Sequence, residues 1–220
     1  MPQQSFWAER WQKNEIGFHA AQTNAFLQKY MESLKPDPTK KVLVPLCGKT
    51  LDLLFLAEHF GEVWGVEYIE QAAQDFFHEQ NIKAEIEETS YGKLYRAGRI
   101  HFAVADIFLF LEKTDQQFDA LYDRAALIAL EEPRRLTYAQ GLQKVLTQEA
   151  AMLLITLAYP QEDMAGPPFS VSDEETKRLF GAYAELQIME RLDILKSETK
   201  WRERGATRMD ETIFAGMVRG

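Results

Sequence analysis

At 220 residues, 46% hydrophobic and 27% charged, the chain is long enough for one well-buried core and short for two full domains. Its formal net charge of −9 repels phosphate backbones and anionic lipid, which argues against nucleic acid and membrane surfaces as partners. A single cysteine, Cys47, excludes an internal disulfide, and the apolar stretches at Leu51 to Phe60 and Ala150 to Tyr159 fall far short of a membrane span of about 20 residues; with no basic-then-apolar amino terminus, the cytoplasm is the expected compartment.

Ser5 to Asn14 reads as an amphipathic helix, with Ser5 as cap and Trp7 and Trp11 at i,i+4 spacing, ended near Gly17. Ala20 to Ser33 is a second helical run, closed by the Lys35-Pro36-Asp37-Pro38 breaker. These prolines mark residues 1–35 as an extension ahead of a single domain that spans 1–220. From Val42 onward, short apolar runs alternate with helical ones, the pattern of β-α repeats. Strands are expected at Val42 to Pro45, Glu62 to Glu67, Ile100 to Ala105, Phe118 to Asp123 and Met152 to Ala158. Helices are expected at Thr50 to His59, Glu70 to Glu79, Pro133 to Leu146 and Ser172 to Phe180. Glu85 to Arg99 reads as an inserted hairpin, and Glu185 to Leu195 with Glu211 to Val218 as a closing antiparallel pair. The fold class that results is α/β: a three-layer class I methyltransferase (Rossmann-like) architecture with a seven-stranded, mostly parallel sheet.

Lys41 to Lys49 followed by a helix and then Glu62 to Glu67 is the layout of a nucleotide-cofactor site at a parallel sheet. Gly48 opens a strand-to-helix turn that can bring backbone close to a ligand, although glycine also serves plain turn geometry. Glu67, about 20 residues on, is placed to accept from ribose hydroxyls, or is a solvated acid at a strand end. Without the three-glycine fingerprint, NAD and FAD are disfavoured. Asp106 and Ile107 follow the third parallel strand, as an adenine edge-reader with its packing neighbour or as a helix cap. Asp123-Arg124 closes the fourth strand, as functional groups or as an ion pair. The four histidines lack metal-ligand spacing, and neither a serine elbow nor a P-loop occurs, so no metal is expected. Cys47 reads as packing in the turn. The amino-terminal aromatics are core or cofactor cover.

Phe6-Trp7 through Trp11 to Phe18-His19, Val44-Pro45-Leu46-Cys47-Gly48-Lys49, Gly65-Val66-Glu67, Asp123-Arg124-Ala125-Ala126-Leu127 and Gly166-Pro167-Pro168-Phe169 together resemble the thiopurine S-methyltransferases of bacteria, in colinear order over nearly the whole chain. The resemblance implies an S-adenosylmethionine cofactor, with Trp11, Leu46 and Gly48 against it, Glu67 on its ribose, Asp106 and Ile107 at its adenine, and Arg124 near its methionine end. It implies Arg124 as the catalytic residue, and Phe18 and Phe169 against a small thiol or selenol acceptor. Animal members carry glycine at the position of Ala125 and serine at that of Asp106. The family suggests a monomer, with thiopurine-type thiols as acceptors and an association of its bacterial members with selenium and tellurium compounds. A non-catalytic S-adenosylmethionine-binding module is the alternative.

Overall fold

A computed structural model of the chain describes residues 2–13 and 21–220, with the backbone alone for residues 2–6. By internal packing the chain divides into two units, Met1–Met31 with Pro36–Phe118, and Glu32–Lys35 with Asp119–Gly220.

The first unit holds α1 (Pro2–Gln12), α2 (Ala25–Tyr30), β1 (Lys41–Pro45), α3 (Asp52–Ala57), β2 (Glu62–Glu67), α4 (Glu70–Glu79), β3 (Glu85–Thr89), β4 (Gly92–Ala97), β5 (Ile100–Ala105) and α5 (Ile107–Lys113). Its strands lie in the order β3-β4-β5-β2-β1. β1, β2 and β5 run parallel, whereas β3, β4 and β5 pair antiparallel. Val42, Leu43, Val63, Val66, Phe102 and Ala103 are fully buried, the continuous apolar run expected of parallel strands covered on both faces. Gly65 of β2 has a packing reason: a Cβ there would lie 2.9 Å from Cys47 Sγ and 3.2 Å from Leu53 Cδ1. The strand thus runs directly beneath the turn that follows β1.

Ser5 does not cap α1, which begins at Pro2; proline suits a first helical turn because its missing N–H has no partner there anyway. The second helical run starts later than its periodicity suggests. Asn24 caps α2, its side chain accepting from Phe26 N at 2.9 Å and Leu27 N at 3.1 Å, and Met31–Leu34 tightens into a 3-10 turn. The break expected at Gly17 lies outside the described residues.

The second unit takes β6 (Phe118–Asp123) from Asp119 on, then α6 (Ala126–Ala129), α7 (Glu132–Val145), β7 (Leu146–Ala158), α8 (Asp173–Phe180), β8 (Ala184–Asp193), α9 (Thr199–Glu203) and β9 (Asp210–Val218). The strand order is β6-β7-β9-β8, with β9 antiparallel to both neighbours. Ser172 caps α8 by accepting from Glu175 N at 3.1 Å, and the acid-first, base-last sequence of that helix suits its dipole. Among the described residues there are nine strands where seven were expected, because the Glu85 to Arg99 hairpin joins the edge of the first unit's sheet through β4 and β5. No helix of the described residues is long and apolar enough to cross a membrane.

Candidate cofactor and acceptor sites

In the first unit, the turn after β1 is held by its backbone and by one carboxylate. Cys47 N donates to Val66 O at 3.0 Å, and Thr50 N to Cys47 O at 3.3 Å. Leu46 sits at φ 46° and Gly48 at φ 55°. The left-handed region is natural for Gly48 and costs a leucine on the order of 1 kcal/mol, a strain more frequent at ligand sites than elsewhere. Glu67, at the end of β2, spans the turn: Gly48 N donates to its Oε2 at 3.1 Å and Ile69 N to its Oε1 at 2.9 Å. The side chain is buried, and burial raises its pKa against those backbone donors, which pull it down.

A carboxylate offers about four lone-pair sites. Gly48 N and Ile69 N take one site on each oxygen and the Tyr68 backbone N–H also bonds the carboxylate, which leaves Glu67 capacity for a ribose hydroxyl, and so the residues present fit a ribose-containing cofactor. Trp11, itself buried, brings Cζ2 to 3.8 Å from where a Cβ on Gly48 would stand, so the aromatic extension reaches this turn. Cys47 is buried and its thiol is pushed well up by desolvation and then by Glu67, which suits packing and not nucleophilic attack. Lys49, also buried, ion-pairs with Glu79 at 2.6 Å and Asp75 at 3.9 Å; it fastens the turn to α4.

Asp106 is the N-cap of α5, with Oδ1 accepting from Phe108 N at 2.8 Å and Leu109 N at 3.4 Å. The capping role that competed with adenine recognition is therefore present, and Ile107 beside it is buried. His101 stacks on Trp64 at 4.7 Å, and burial lowers its pKa. Phe18 lies outside the described residues. Among the described residues, no group of three or more His, Cys, Asp or Glu side chains could hold a metal ion.

In the second unit, the end of β6 carries Asp123 and Arg124. Asp123 is buried; Oδ1 accepts from Ala126 N at 2.9 Å and Leu127 N at 3.3 Å, while Oδ2 accepts from Tyr138 O–H at 2.7 Å. It thus fixes the turn on which Arg124, partly exposed, is mounted. Sequence alone offered an ion pair between these neighbours; instead Asp123 spends both oxygens on α6 and Tyr138. Desolvation, outweighing those bonds, moves its pKa from 3.8 to about 6.

A folded-state pKa above the unfolded value means that the folded chain holds more protons between those two pH values, so stability falls as pH rises through that window. The expected contribution is about 3 kcal/mol lost between pH 4 and 7. Urea unfolding of wild type and Asp123→Asn across this range measures it. The asparagine keeps the capping oxygen, and the difference between the two stability curves is expected to close as pH falls; parallel curves would contradict the assignment.

Phe169 lies in a loop that is tied down at many points. Its N donates to Ile128 O at 2.6 Å, Tyr159 O–H donates to Pro168 O at 2.5 Å, and Arg204 Nη2 donates to Pro167 O at 3.1 Å. Ser170 Oγ donates to Tyr159 O at 2.6 Å. Gly166, at φ 75°, packs so closely on Phe169 that an added Cβ would come within 2.7 Å of ring atom Cε1. The aromatic is thereby held in one orientation. Glu211 of β9 is the titratable group that the sequence did not single out. Its pKa rises to about 7, chiefly through burial and then through Glu198, against Arg124 and Lys200.

The sequence model of the thiopurine S-methyltransferase (TPMT) family matches residues 2–216. A thiopurine S-methyltransferase of Pseudomonas fluorescens strain Pf-5 is 41% identical over 212 residues, 96% of this chain and 96% of its own. The one from Bordetella pertussis is 39% identical over 209 residues, 95% of each. Among solved structures, the YcgJ protein of Bacillus subtilis superposes with a TM-score of 0.65 at 14% identity, covering 88% of this chain and 98% of that one. The N-methyltransferase NodS of Bradyrhizobium japonicum, solved with S-adenosyl-L-homocysteine, gives 0.59 at 13% identity, covering 90% and 89%. The fold is that of the class I methyltransferases, and with nearly its full length matched at this level of identity the chain belongs to the thiopurine S-methyltransferase family.

Proposed function

We propose that this chain transfers the methyl group of S-adenosylmethionine to the sulfur of thiopurine-type aromatic or heterocyclic thiols, with selenium or tellurium compounds as further acceptors. The observation that carries the reading is Glu67, a buried carboxylate at the end of β2 bonded to the Gly48 turn, in a chain of this family. The cofactor, when bound, supplies an electrophilic methyl group on a sulfonium. Transfer to sulfur is an in-line displacement that asks the protein for alignment and water exclusion more than for proton shuffling. In this reading Glu67 accepts from a ribose hydroxyl, Trp11, Leu46 and Gly48 line the cofactor, and Asp106 and Ile107 meet the adenine. Arg124 favours the ionised acceptor or orients it, and Phe18 and Phe169 form an apolar lid over its ring.

We infer further that residues 1–220 work as one methyltransferase domain, as a cytoplasmic monomer, with 1–35 as a cover over the cofactor. The net charge of −9 supports small-molecule acceptors over nucleic acid or membrane. A screen of thiol, selenol and oxyanion acceptors with methyl-labelled S-adenosylmethionine tests the function. Label appearing on thiopurines supports it; label on none of the thiols, with cofactor binding intact, overturns it. The cover is tested by a chain starting at Ala20, which lacks Trp11. It is expected to bind S-adenosylhomocysteine about tenfold more weakly by calorimetry, the loss of one large aromatic contact, and equal affinity would remove the cover from the mechanism.

A further inference from the structure

The second unit carries a polar cavity that the methyl-transfer reading does not use. Its volume is about 390 Å³, within the range of small-molecule sites, and every residue that lines it falls between Ala158 and Thr212. The floor is one face of the antiparallel end of the sheet. Ala158 of β7 is registered with Asp210 of β9, and Thr212 of β9 with Arg191 of β8, so the four side chains share a face. Ser172, Asp173 and Glu174 at the start of α8 form a wall, and Tyr159 and Pro160 add apolar surface.

Thr212 is the informative side chain. It is 1% exposed, lines the cavity, and has no hydrogen-bond partner for Oγ1 among the described residues. Thr156, registered beside it on β7 and equally buried, does not serve, since its own Oγ1 is unpartnered too. Buried hydroxyls are normally hydrogen-bonded, and one that lines a cavity calls for a polar group inside it.

The arginines indicate the charge of that group. Arg191 ion-pairs with Asp173, and Arg208 Nε donates to Asp210 Oδ2 at 2.8 Å; both arginine side chains are at least half exposed. A guanidinium has five N–H donors, so each keeps donors for an acceptor such as a carboxylate. Yet the lining sets two arginines against the acids Asp173, Glu174 and Asp210, a formal charge of −1. That balance opposes a simple anion and favours a ligand that also carries an ammonium.

We propose that this cavity binds a small zwitterion of the α-amino-acid class with an apolar side chain. The ligand's carboxylate takes the remaining donors of Arg191 and Arg208 and the Thr212 hydroxyl, its ammonium meets Glu174, and its side chain lies against Tyr159 and Pro160.

The test titrates the full chain, free of cofactor, with three probes and follows binding by NMR: L-leucine, N-acetyl-L-leucine, which lacks the ammonium, and 3-methylbutylamine, which lacks the carboxylate. L-Leucine is expected to bind, and each singly charged analogue to bind at least about tenfold more weakly, the scale of losing a hydrogen bond to a charged group. Thr212→Val keeps the shape of the side chain and is expected to lose about tenfold in L-leucine affinity. It should melt no lower than wild type, because the hydroxyl it removes has no partner in the protein. Arg208→Gln, at an exposed ion pair, is expected to lose a similar factor. Saturating S-adenosylhomocysteine is expected to leave L-leucine binding unchanged. No binding of L-leucine at millimolar concentration, an analogue that binds equally well, affinity unchanged in both variants, or displacement by S-adenosylhomocysteine would each overturn the zwitterion site and leave the methyl-transfer reading standing.

Discussion

Replacing Glu67 with glutamine is expected to weaken S-adenosylhomocysteine binding by about 100-fold, measured by calorimetry. Hydrogen bonds to a charged acceptor contribute about 1.5–3 kcal/mol each, and a ribose hydroxyl would lose a carboxylate and meet an amide. The same side chain also organises the unliganded turn, since it accepts from both Gly48 N and Ile69 N. A glutamine offers one oxygen and one NH2. One of the two backbone donors is then left facing another donor, which costs about 1–3 kcal/mol. The variant is therefore expected to unfold a few degrees lower and to regain less of that loss when cofactor is added. Unchanged affinity with lowered thermal stability would assign Glu67 to the turn and remove it from the ribose.

Arg124→Ala is expected to cost on the order of 100-fold in kcat/KM for a thiol acceptor, the scale for removing one positioned donor to a developing or resting anion. Cofactor affinity is expected to change far less. The loss should be largest at low pH, where the guanidinium does most to favour an ionised sulfur, and should shrink as pH rises and solution ionises the thiol. Arg124 also lowers the pKa of Glu211, so without it that acid ionises at higher pH. Arg124→Lys keeps the charge and loses the planar fork, so it separates electrostatic help from orientation. A rate unchanged at every pH would sink the role.

The parallel strands were legible because their burial is uniform. β1, β2 and β5 begin and end within a residue of the positions their apolar runs suggest. Three helices escaped, the short α6 and α9 and the longer α5; in α5, Ile107-Phe108-Leu109-Phe110-Leu111 is apolar all round, with Leu109 left exposed, and a helix without a polar face shows no period. β7 starts at Leu146, earlier than expected, through a polar stretch with Glu149 in the left-handed region, where neither alternation nor apolarity marks a strand. The glycine turn after β1 and the acid at the end of β2 could be placed from spacing, yet the backbone partners of Glu67 could not, because backbone N–H groups leave no trace in a sequence. Asp106 was ambiguous for the same reason: a cap and a ligand contact call for the same residue type at the same place. Glu211 was missed outright. On paper it is one acid at the head of an ordinary strand, and its raised pKa follows from burial and from Glu198, a property of the folded sheet and not of the local sequence.

With Phe169 in its proposed place at the acceptor, its contact with Gly166 bears on any redesign of the acceptor range. Because an added Cβ at position 166 would meet the ring, the two residues form a single packing unit. A library that varies position 169 alone samples side chains against a floor shaped for phenylalanine, and one that varies position 166 alone collides with the ring. Useful variants are to be sought along the diagonal, where both positions change together, and double-mutant cycles there should be strongly non-additive.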